Sequence, residues 1–513
     1  MEAASYNVPR GAALISMQHL LHYGFSFVFY VAVARILTQE QIGQVSLLMF
    51  LLTTFGALTQ LSLPVAATKF ISENLGRGDV KQAGAVARTT LKLLLMISVP
   101  ALLVSYLISP YLSTSFFQSP ELTVPVILTF TASFILDLTT LYGAQLLGLG
   151  RYFRMVLQNM IYIPLSRMLG LLLAYVGLGV MGVVLGWFFA SLVTLTVTLP
   201  LVKGQIPDGS SFPAKILLGY SLPLLGFNVV GLVQTWADVT LLYALTASLS
   251  ATGIYYIVVS SAAVLSVFWS PLAGAVFPAL SSTHGKGDAM ALERMLTTSI
   301  RVINVSVIPL SFSMAAVSPA VLHAVYGEAY IVGAAAFAIV ASTLVIQAYA
   351  AIISTTLQAI GKTKTLLWVA VASTALEIMF LTLLAKPLGG VGAAVARVIL
   401  FTASATLGYM YLRGDVRLMF GENFIKSLAL GLCVAAPLVM VDFYLVQYLP
   451  NMPLARIAVL AAVFTSLYTA AARKLGILSP ADFSLLRQAL PKPLHPSVNL
   501  AEKLFTRSRK GQG

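Results

Sequence analysis

Residues 178–202 read LGVMGVVLGWFFASLVTLTVTLPLV, which is 25 consecutive residues without a charged side chain. About 20 mostly apolar residues are enough for a helix to cross the hydrocarbon core of a bilayer. Similar segments recur throughout the chain of 513 residues, of which 58% are hydrophobic and 9% are charged. A typical soluble domain is about 45–50% apolar and about 25% charged. The composition therefore predicts an integral membrane protein and excludes both a soluble enzyme and a disordered chain.

The distribution of apolar segments predicts an all-α membrane fold with about 14 transmembrane helices. The predicted spans are residues 11–34, 42–64, 83–108, 122–147, 152–176, 178–202, 215–243, 251–279, 292–317, 330–359, 364–385, 389–412, 424–448 and 453–473. Lys and Arg are concentrated in alternate loops, and only Arg35, Lys386 and Arg456 fall on the other side. Because cytoplasmic loops carry the excess of basic residues, both termini are expected in the cytoplasm.

The charged and metal-binding residue types exclude several other functions. The net charge of +14 comes from short loops and a basic tail rather than from a basic domain, so no nucleic acid is expected as a partner. Cys433 is the only cysteine and the five histidines lack the spacing of a metal site, so neither a metal nor a cofactor is predicted. The glycine pattern at residues 177–182 follows a membrane helix rather than a strand, which argues against dinucleotide binding. Gly182 and Gly186 are instead expected to allow close packing of two helices.

Three short motifs recur at a nearly constant offset of about 210 residues, which predicts an internal repeat. The repeated pairs are Gly76–Asp79 with Gly285–Asp288, Gly150–Arg151 with Gly361–Lys362, and Leu178–Gly179 with Leu388–Gly389. Each copy holds six predicted spans, so the second begins in the same orientation as the first. The repeat therefore predicts two pseudo-symmetric six-helix bundles related by an axis along the membrane normal.

The repeat divides the chain into four predicted parts. They are an N-terminal lobe at residues 1–205, a C-terminal lobe at 206–413, two further helices at 414–474, and a basic cytoplasmic tail at 475–513. In transporters built in this way, the substrate binds near the midplane between the halves, which rock to expose it to either side. We therefore expect a cleft between the two lobes.

Ionisable residues within predicted spans are the best candidates for functional groups. Each costs about 2.5–3.5 kcal/mol at the centre of a membrane helix even on the more permissive insertion scale. These residues are Asp137, Arg167, Asp238, Glu377, Arg397 and Asp442, with His19 and His22 as weaker candidates. The alternative for each is an ion pair between packed helices, or a long side chain that reaches the interface.

Arg167 and Glu377 form the central hypothesis about the site. Arg167 lies near the middle of its predicted span, and the offset of 210 residues makes Glu377 its counterpart in the second lobe. The predicted axis would bring the two charges to opposite walls of one cavity. We hypothesise that Arg167 binds an anionic group of the substrate and that Glu377 neutralises it in the empty state. The alternative is a local ion pair of Arg167 with Asp137 on the adjacent helix.

Four segments resemble those of a known transporter family. They are Ala34-Arg35-Ile36-Leu37, Gln39-Glu40-Gln41-Ile42-Gly43, Trp236-Ala237-Asp238, and Ala251-Thr252-Gly253-Ile254-Tyr255. The chain is similar in these segments to the polysaccharide transporter family, the O-antigen flippase-like branch of the multidrug/oligosaccharidyl-lipid/polysaccharide exporter superfamily. The resemblance extends over the first twelve predicted spans, and fourteen helices are usual in that family.

This resemblance implies a flippase rather than an enzyme. It implies that an undecaprenyl- or dolichyl-linked oligosaccharide crosses the cytoplasmic membrane, with membrane lipids and glycan-assembly proteins as partners. Arg35, Arg167 and Arg397 then become candidates for contact with phosphate or for the charge of the cavity. Asp238 and Glu377 become candidates for coupling to a proton or sodium ion, and Asp137 for a further cavity residue.

Two other functions compete with this interpretation. A cation-coupled multidrug antiporter of the same superfamily would favour an acidic cavity, whereas this chain combines acidic and basic residues inside its spans. A membrane-embedded glycan polymerase or glycosyltransferase would need catalytic carboxylates in a sizeable aqueous loop or domain. The loops between the predicted spans are short, which argues against an enzyme.

Overall fold

The computed structural model describes residues 24–268, 276, 280, 283–284, 288–414, 416, 423–475, 477, 499 and 502. Within this part of the chain the regular structure is entirely helical. A backbone surrounded by hydrocarbon has to satisfy its hydrogen bonds within the segment, and an α-helix does so. His19, His22, Lys286 and most of the basic tail lie outside the described residues.

Nine helices come from the first half of the described chain. They are α1 (Gly24–Ile36), α2 (Gln39–Gln60), α3 (Leu63–Gly76), α4 (Val80–Tyr111), α5 (Thr123–Gly148), α6 (Tyr152–Leu173), α7 (Gly179–Val202), α8 (Ala214–Thr246) and α9 (Leu249–Val264). A π-helical turn, Ala174–Leu178, joins α6 to α7.

Seven helices follow in the second half of the described chain. They are α10 (Ala289–Ala316), α11 (Ser318–Tyr326), α12 (Ala334–Ala359), α13 (Thr363–Leu388), α14 (Gly390–Leu412), α15 (Asn423–Tyr448) and α16 (Pro453–Leu475). A short 3₁₀-helix, Glu328–Gly333, leads from α11 into α12.

Eleven helical stretches among the described residues are long and apolar enough to cross a membrane. One of them, residues 152–202, combines α6 and α7, and α1 and α9 are shorter apolar helices. The prediction of an all-α, multi-pass membrane protein is confirmed. The number of fourteen spans and the pseudo-two-fold axis stay predictions.

Packing divides the described chain into two compact units. The first unit holds the described residues up to Tyr243 together with Ser248–Tyr256, and the second holds Ala244–Ala247 together with the described residues from Ile257 onward. α8 and the start of α9 thus pack with the helices that precede them. The predicted lobe boundary between residues 205 and 206 stays a prediction.

In the first unit, polar side chains connect α5 to its neighbours. The Ser133 hydroxyl donates to the Leu52 carbonyl of α2 at 2.7 Å, and the Thr68 hydroxyl of α3 donates to the Ala144 carbonyl at 2.9 Å. The Gln145 amide donates to the Ala87 carbonyl of α4 at 3.0 Å. Because apolar helices gain little from hydrophobic burial inside a lipid bilayer, hydrogen bonds of this kind help to set which helices pack together.

The repeated motifs have matching local backbones at the positions that the structure describes. Asp79 (φ −88°, ψ 79°) and Asp288 (φ −86°, ψ 81°) each precede a helix, and each accepts a backbone N–H three residues later at 2.9 Å. Gly179 (φ 53°, ψ −129°) and Gly389 (φ 54°, ψ −130°) precede α7 and α14 in the same conformation. The repeated short sequences therefore begin helices with the same local backbone in both halves of the chain.

Gly182 and Gly186 lie where α7 packs against α6. A Cβ at Gly186 would overlap the backbone of Gly170, and one at Gly182 would overlap the backbone of Leu173 and Ala174. The predicted close packing through these small residues is confirmed. The two backbones approach so closely because the glycines have no side chain.

We expect Gly186→Val to destabilise the protein by about 1–3 kcal/mol, because the added atoms force α6 and α7 apart. Thermal unfolding in detergent measures the effect. Gly226→Val on α8 is the matched control, because nothing lies within 4 Å of a Cβ at Gly226. Equal melting temperatures for the two variants would contradict the assignment of Gly186 to a close helix contact.

Candidate functional site

The predicted site residues are distributed over both units. Arg35, Asp137, Arg167 and Asp238 belong to the first unit, and Glu377 and Arg397 belong to the second. The predicted arrangement of Arg167 and Glu377 on opposite walls of one cavity stays a prediction. Each unit is therefore described by itself.

The guanidinium of Arg167 lies against two aromatic rings. Its guanidinium carbon lies 4.6 Å from the ring centre of Phe29 and 5.3 Å from that of Tyr30, both on α1. Its Nε atom is buried and lacks a hydrogen-bond partner in the described part of the chain. No described carboxylate forms an ion pair with it either. Aromatic faces stabilise a cation without occupying its N–H donors, so the guanidinium keeps the capacity to bind an anion.

Asp137 is held by α2 rather than by Arg167. Its carboxylate is 1% exposed, and accepts from the Thr59 hydroxyl at 2.5 Å and from the Gln60 amide at 2.7 Å. Gly56 leaves the necessary room, because a Cβ there would lie 3.0 Å from the carboxylate. The structure shows no ion pair between Arg167 and Asp137 among the described residues, and this carboxylate is instead bonded to neutral donors on α2.

Asp238 is fully buried in α8 and connects that helix to α9. Its carboxylate accepts from the Tyr255 hydroxyl at 2.8 Å and from the Val239 backbone N–H at 2.8 Å. The neighbouring Trp236 ring stacks on Tyr256, with 6.1 Å between ring centres and 15° between planes. Two of the four segments that carry the family resemblance therefore contact each other directly.

A second contact joins the beginnings of α2 and α9. A Cβ at Gly43 would overlap the Leu249 carbonyl, and one at Gly253 would overlap the Gln39 carbonyl. The Ser250 hydroxyl donates to the side-chain carbonyl of Gln39 at 2.7 Å. We call this contact of Gln39 and Gly43 with Leu249, Ser250 and Gly253 the α2–α9 crossing.

Two tyrosines connect the surroundings of Arg167 to α9. The hydroxyls of Tyr30 and Tyr256 lie 2.8 Å apart, and their rings meet edge to face at 5.7 Å. Sequence reasoning missed Phe29, Tyr30 and Tyr256, because an aromatic residue in an apolar span resembles one that faces lipid. The available signal was the phenol group, which usually finds a hydrogen-bond partner when a tyrosine is buried.

Arg35 lies in the last turn of α1 and is exposed. A cation at this end of a helix is stabilised by the helix dipole. The structure thus places Arg35 at a helix end, whereas Arg167 lies well inside α6.

In the second unit, Glu377 is fully buried in α13 and Arg397 is half-buried in α14. The Arg397 guanidinium carbon lies 5.7 Å from the ring centre of Phe401. Arg397 and Phe401 line a cavity of about 80 Å³ together with Gln347 and Ser266. This volume is large enough for several water molecules, and Arg397 is the charged residue in its lining.

Asp442 on α15 and Arg456 on α16 form a buried ion pair. The Arg456 Nε lies 2.9 Å from one carboxylate oxygen of Asp442, and the two side chains are 1% and 0% exposed. The other oxygen accepts the Ala320 backbone N–H of α11 at 2.7 Å. Arg456, one of the three basic residues outside the cytoplasmic set, thus has its guanidinium buried against Asp442 of α15. For Asp442, the alternative of a structural ion pair is confirmed.

Metal chemistry finds no support in the described residues, where no group of three His, Cys, Asp or Glu side chains could hold a metal ion. A multi-pass helical protein with charged side chains buried inside its spans has the character of a membrane transporter. A family model described as polysaccharide biosynthesis protein matches residues 8–284. The match covers more than half of the chain, and the chain belongs to this family.

A curated relative matches about half of the chain. The probable low-salt glycan biosynthesis flippase Agl15 of Haloferax volcanii is 25% identical over 271 residues, which are 53% of this chain and 56% of the relative. The match thus spans about half the length of that relative.

Solved transporter structures share the fold. An inward-facing multidrug resistance MATE family transporter of the MOP superfamily has a TM-score of 0.64 at 18% identity, over 79% of this chain and 97% of the other. The lipid II flippase MurJ has a TM-score of 0.62 at 14% identity, over 90% of this chain and 99% of the other. A MOP superfamily transporter from Pyrococcus furiosus, described as having a binding pocket of reverse polarity, has a TM-score of 0.54 at 17% identity, over 79% and 92%.

The match to the polysaccharide biosynthesis protein family confirms the resemblance to a polysaccharide transporter family. The named relatives are flippases and transporters, in agreement with the prediction that the chain is not an enzyme. At these identities the solved structures show the fold alone.

Proposed function

We propose that this chain is a flippase that moves a lipid-linked oligosaccharide across the cytoplasmic membrane by alternating access. The observation that carries the proposal is Arg167, a cation inside a membrane helix that rests on two aromatic rings and pairs with no described carboxylate. Membership of the polysaccharide biosynthesis protein family supports the choice of a glycan.

The chemistry of a lipid-linked sugar fits this cation. An ionised phosphate group cannot enter hydrocarbon without a large desolvation cost. A guanidinium offers two parallel N–H donors to a phosphate, and such charge-assisted bonds are about twice as strong as neutral ones. Arg167 would thus replace part of the water that the headgroup loses, while the lipid tail remains in the bilayer beside the protein.

Several further features belong to the same proposal. The two lobes, residues 1–205 and 206–413, would enclose the cleft, with both termini in the cytoplasm. Glu377 would neutralise Arg167 in the empty state, and Arg35 and Arg397 would add positive charge to the path. Asp238 or Glu377 would couple transport to a proton or sodium ion. Membrane lipids and glycan-assembly proteins would be its partners.

A flipping assay tests the proposal directly. The purified chain is reconstituted into vesicles that contain fluorescent dolichyl or undecaprenyl diphosphate oligosaccharide, and a membrane-impermeant quencher reports how fast the inner-leaflet pool becomes accessible. We expect faster exchange than in protein-free vesicles. Exchange at the protein-free rate with both lipids, combined with gradient-driven uptake of an organic cation, would reject the flippase in favour of a multidrug antiporter.

A further inference from the structure

The α2–α9 crossing joins segments that the proposed rocking of lobes 1–205 and 206–413 would separate, although both segments pack within the first compact unit. In the predicted repeat, α1 and α2 belong to the first half and α9 to the second. With both termini in the cytoplasm, α1 ends and α2 and α9 begin at the outer face of the membrane. The crossing therefore lies where an outward opening would begin.

The contacts described at the crossing are close and directional. Gly43 and Gly253 bring the two backbones together, and the Ser250–Gln39 hydrogen bond spans the contact at 2.7 Å. A second hydrogen bond connects α1 to α9, where the hydroxyl oxygens of Tyr30 and Tyr256 lie 2.8 Å apart. A single hydrogen bond contributes little net free energy, so breaking one costs little. Separating interlocked apolar side chains would cost more, because it opens a close-packed contact.

Tyr30 contacts both α9, close to the crossing, and the candidate anion site. Its hydroxyl bonds to Tyr256, and its ring centre lies 5.3 Å from the guanidinium carbon of Arg167. The Arg167 guanidinium helps to hold the Tyr30 ring in place. Because the ring is rigid, this also fixes the position of the Tyr30 hydroxyl. One side chain thus contacts both Arg167 and α9.

We propose that the Tyr30–Tyr256 pair is a latch that holds the α2–α9 crossing closed, and that Tyr30 connects this latch to Arg167. The role of the latch in transport rests on the proposed function. The latch itself is a property of the empty protein. Tyr30 is in this sense a positioning residue, because it acts on the opening through Tyr256.

Cysteine accessibility tests the latch without any substrate. Ser250→Cys is introduced into a Cys433→Ala background, and labelling by a membrane-impermeant maleimide is timed from the outside of oriented vesicles. We expect Tyr30→Phe and Tyr256→Phe each to speed labelling about three- to tenfold, the fold-change that follows from the loss of one hydrogen bond. The double variant should match either single variant, because the same bond cannot be lost twice.

The same assay tests the connection to Arg167. Arg167→Ala should also speed labelling, since it removes the cation that holds the Tyr30 ring, and it should add nothing to Tyr30→Phe. Tyr106→Phe is the matched control, because the Tyr106 hydroxyl makes a similar interhelical bond at 2.7 Å to Thr131 of α5. Its labelling rate should equal that of the parent.

Two outcomes would overturn the proposal. One is an unchanged labelling rate in both Tyr30→Phe and Tyr256→Phe, and the other is an equal increase in Tyr106→Phe, which would indicate general loosening. A labelling rate that Arg167→Ala leaves unchanged would disprove the connection. Because no glycan is present, an error in the proposed substrate leaves these results untouched, and it is detected separately by the flipping assay.

Discussion

Arg167→Ala is expected to slow flipping of the lipid-linked oligosaccharide about 10- to 100-fold. This range corresponds to the loss of about 1.5–3 kcal/mol from a hydrogen bond to a charged group. The lost interaction is strong here because the guanidinium rests on Phe29 and Tyr30 and keeps its N–H donors available. The measurement is the initial exchange rate in vesicles at equal amounts of folded protein.

Two variants sharpen this test. Arg167→Lys should recover part of the rate, because lysine keeps the charge but lacks the paired donors that a phosphate prefers. Arg154→Ala is the matched control on the same helix, since Arg154 donates to the Leu201 carbonyl at 2.9 Å, and it should change the rate less than threefold. Full activity in Arg167→Ala would remove the observation on which the proposed function depends.

The predicted relation between Arg167 and Glu377 has its own test. If the two side chains occupy opposite walls of one cavity, exchanging them in an Arg167→Glu, Glu377→Arg double variant should restore part of the activity that each single variant loses. A double variant less active than either single variant would place the two residues in separate roles.

Asp442→Leu is expected to lower the free energy of unfolding by about 3–5 kcal/mol, the usual cost of removing one partner from a buried ion pair. The guanidinium of Arg456 is 1% exposed and would remain buried without its counter-charge. Its Nη1 and Nη2 atoms already lack hydrogen-bond partners within the described chain, so Asp442 is the carboxylate that holds it. The variant also removes the acceptor for the Ala320 N–H at the start of α11.

Replacing both partners separates the cost of an unpaired charge from the value of the pair. Asp442→Leu combined with Arg456→Met should recover most of the lost stability, because well-packed apolar residues often replace a buried ion pair at no cost. Arg77→Met is the matched control, since it removes an exposed ion pair to Glu73 and should cost at most about 1 kcal/mol. The measurement is thermal or denaturant unfolding in detergent. A double variant no more stable than Asp442→Leu alone would contradict this account.

The sequence by itself determined the class of this protein and much of its local structure. Apolar runs such as residues 178–202 have to form helices in a membrane, because only local hydrogen bonds satisfy a backbone in hydrocarbon. The depth of Arg167 in its span and the close packing at Gly186 follow from the same local information. The repeated motifs at Asp79 and Asp288 also begin their helices in the same way.

Only the tertiary structure decided which polar groups meet. Tyr30 and Tyr256 are 226 positions apart, and Asp137 lies 78 positions from Thr59. Composition and periodicity act over one or two helical turns, whereas these partners are selected by the packing of whole helices. For the same reason the sequence did not pair Arg456 with Asp442, although in the fold the two form an ion pair that connects α16 to α15.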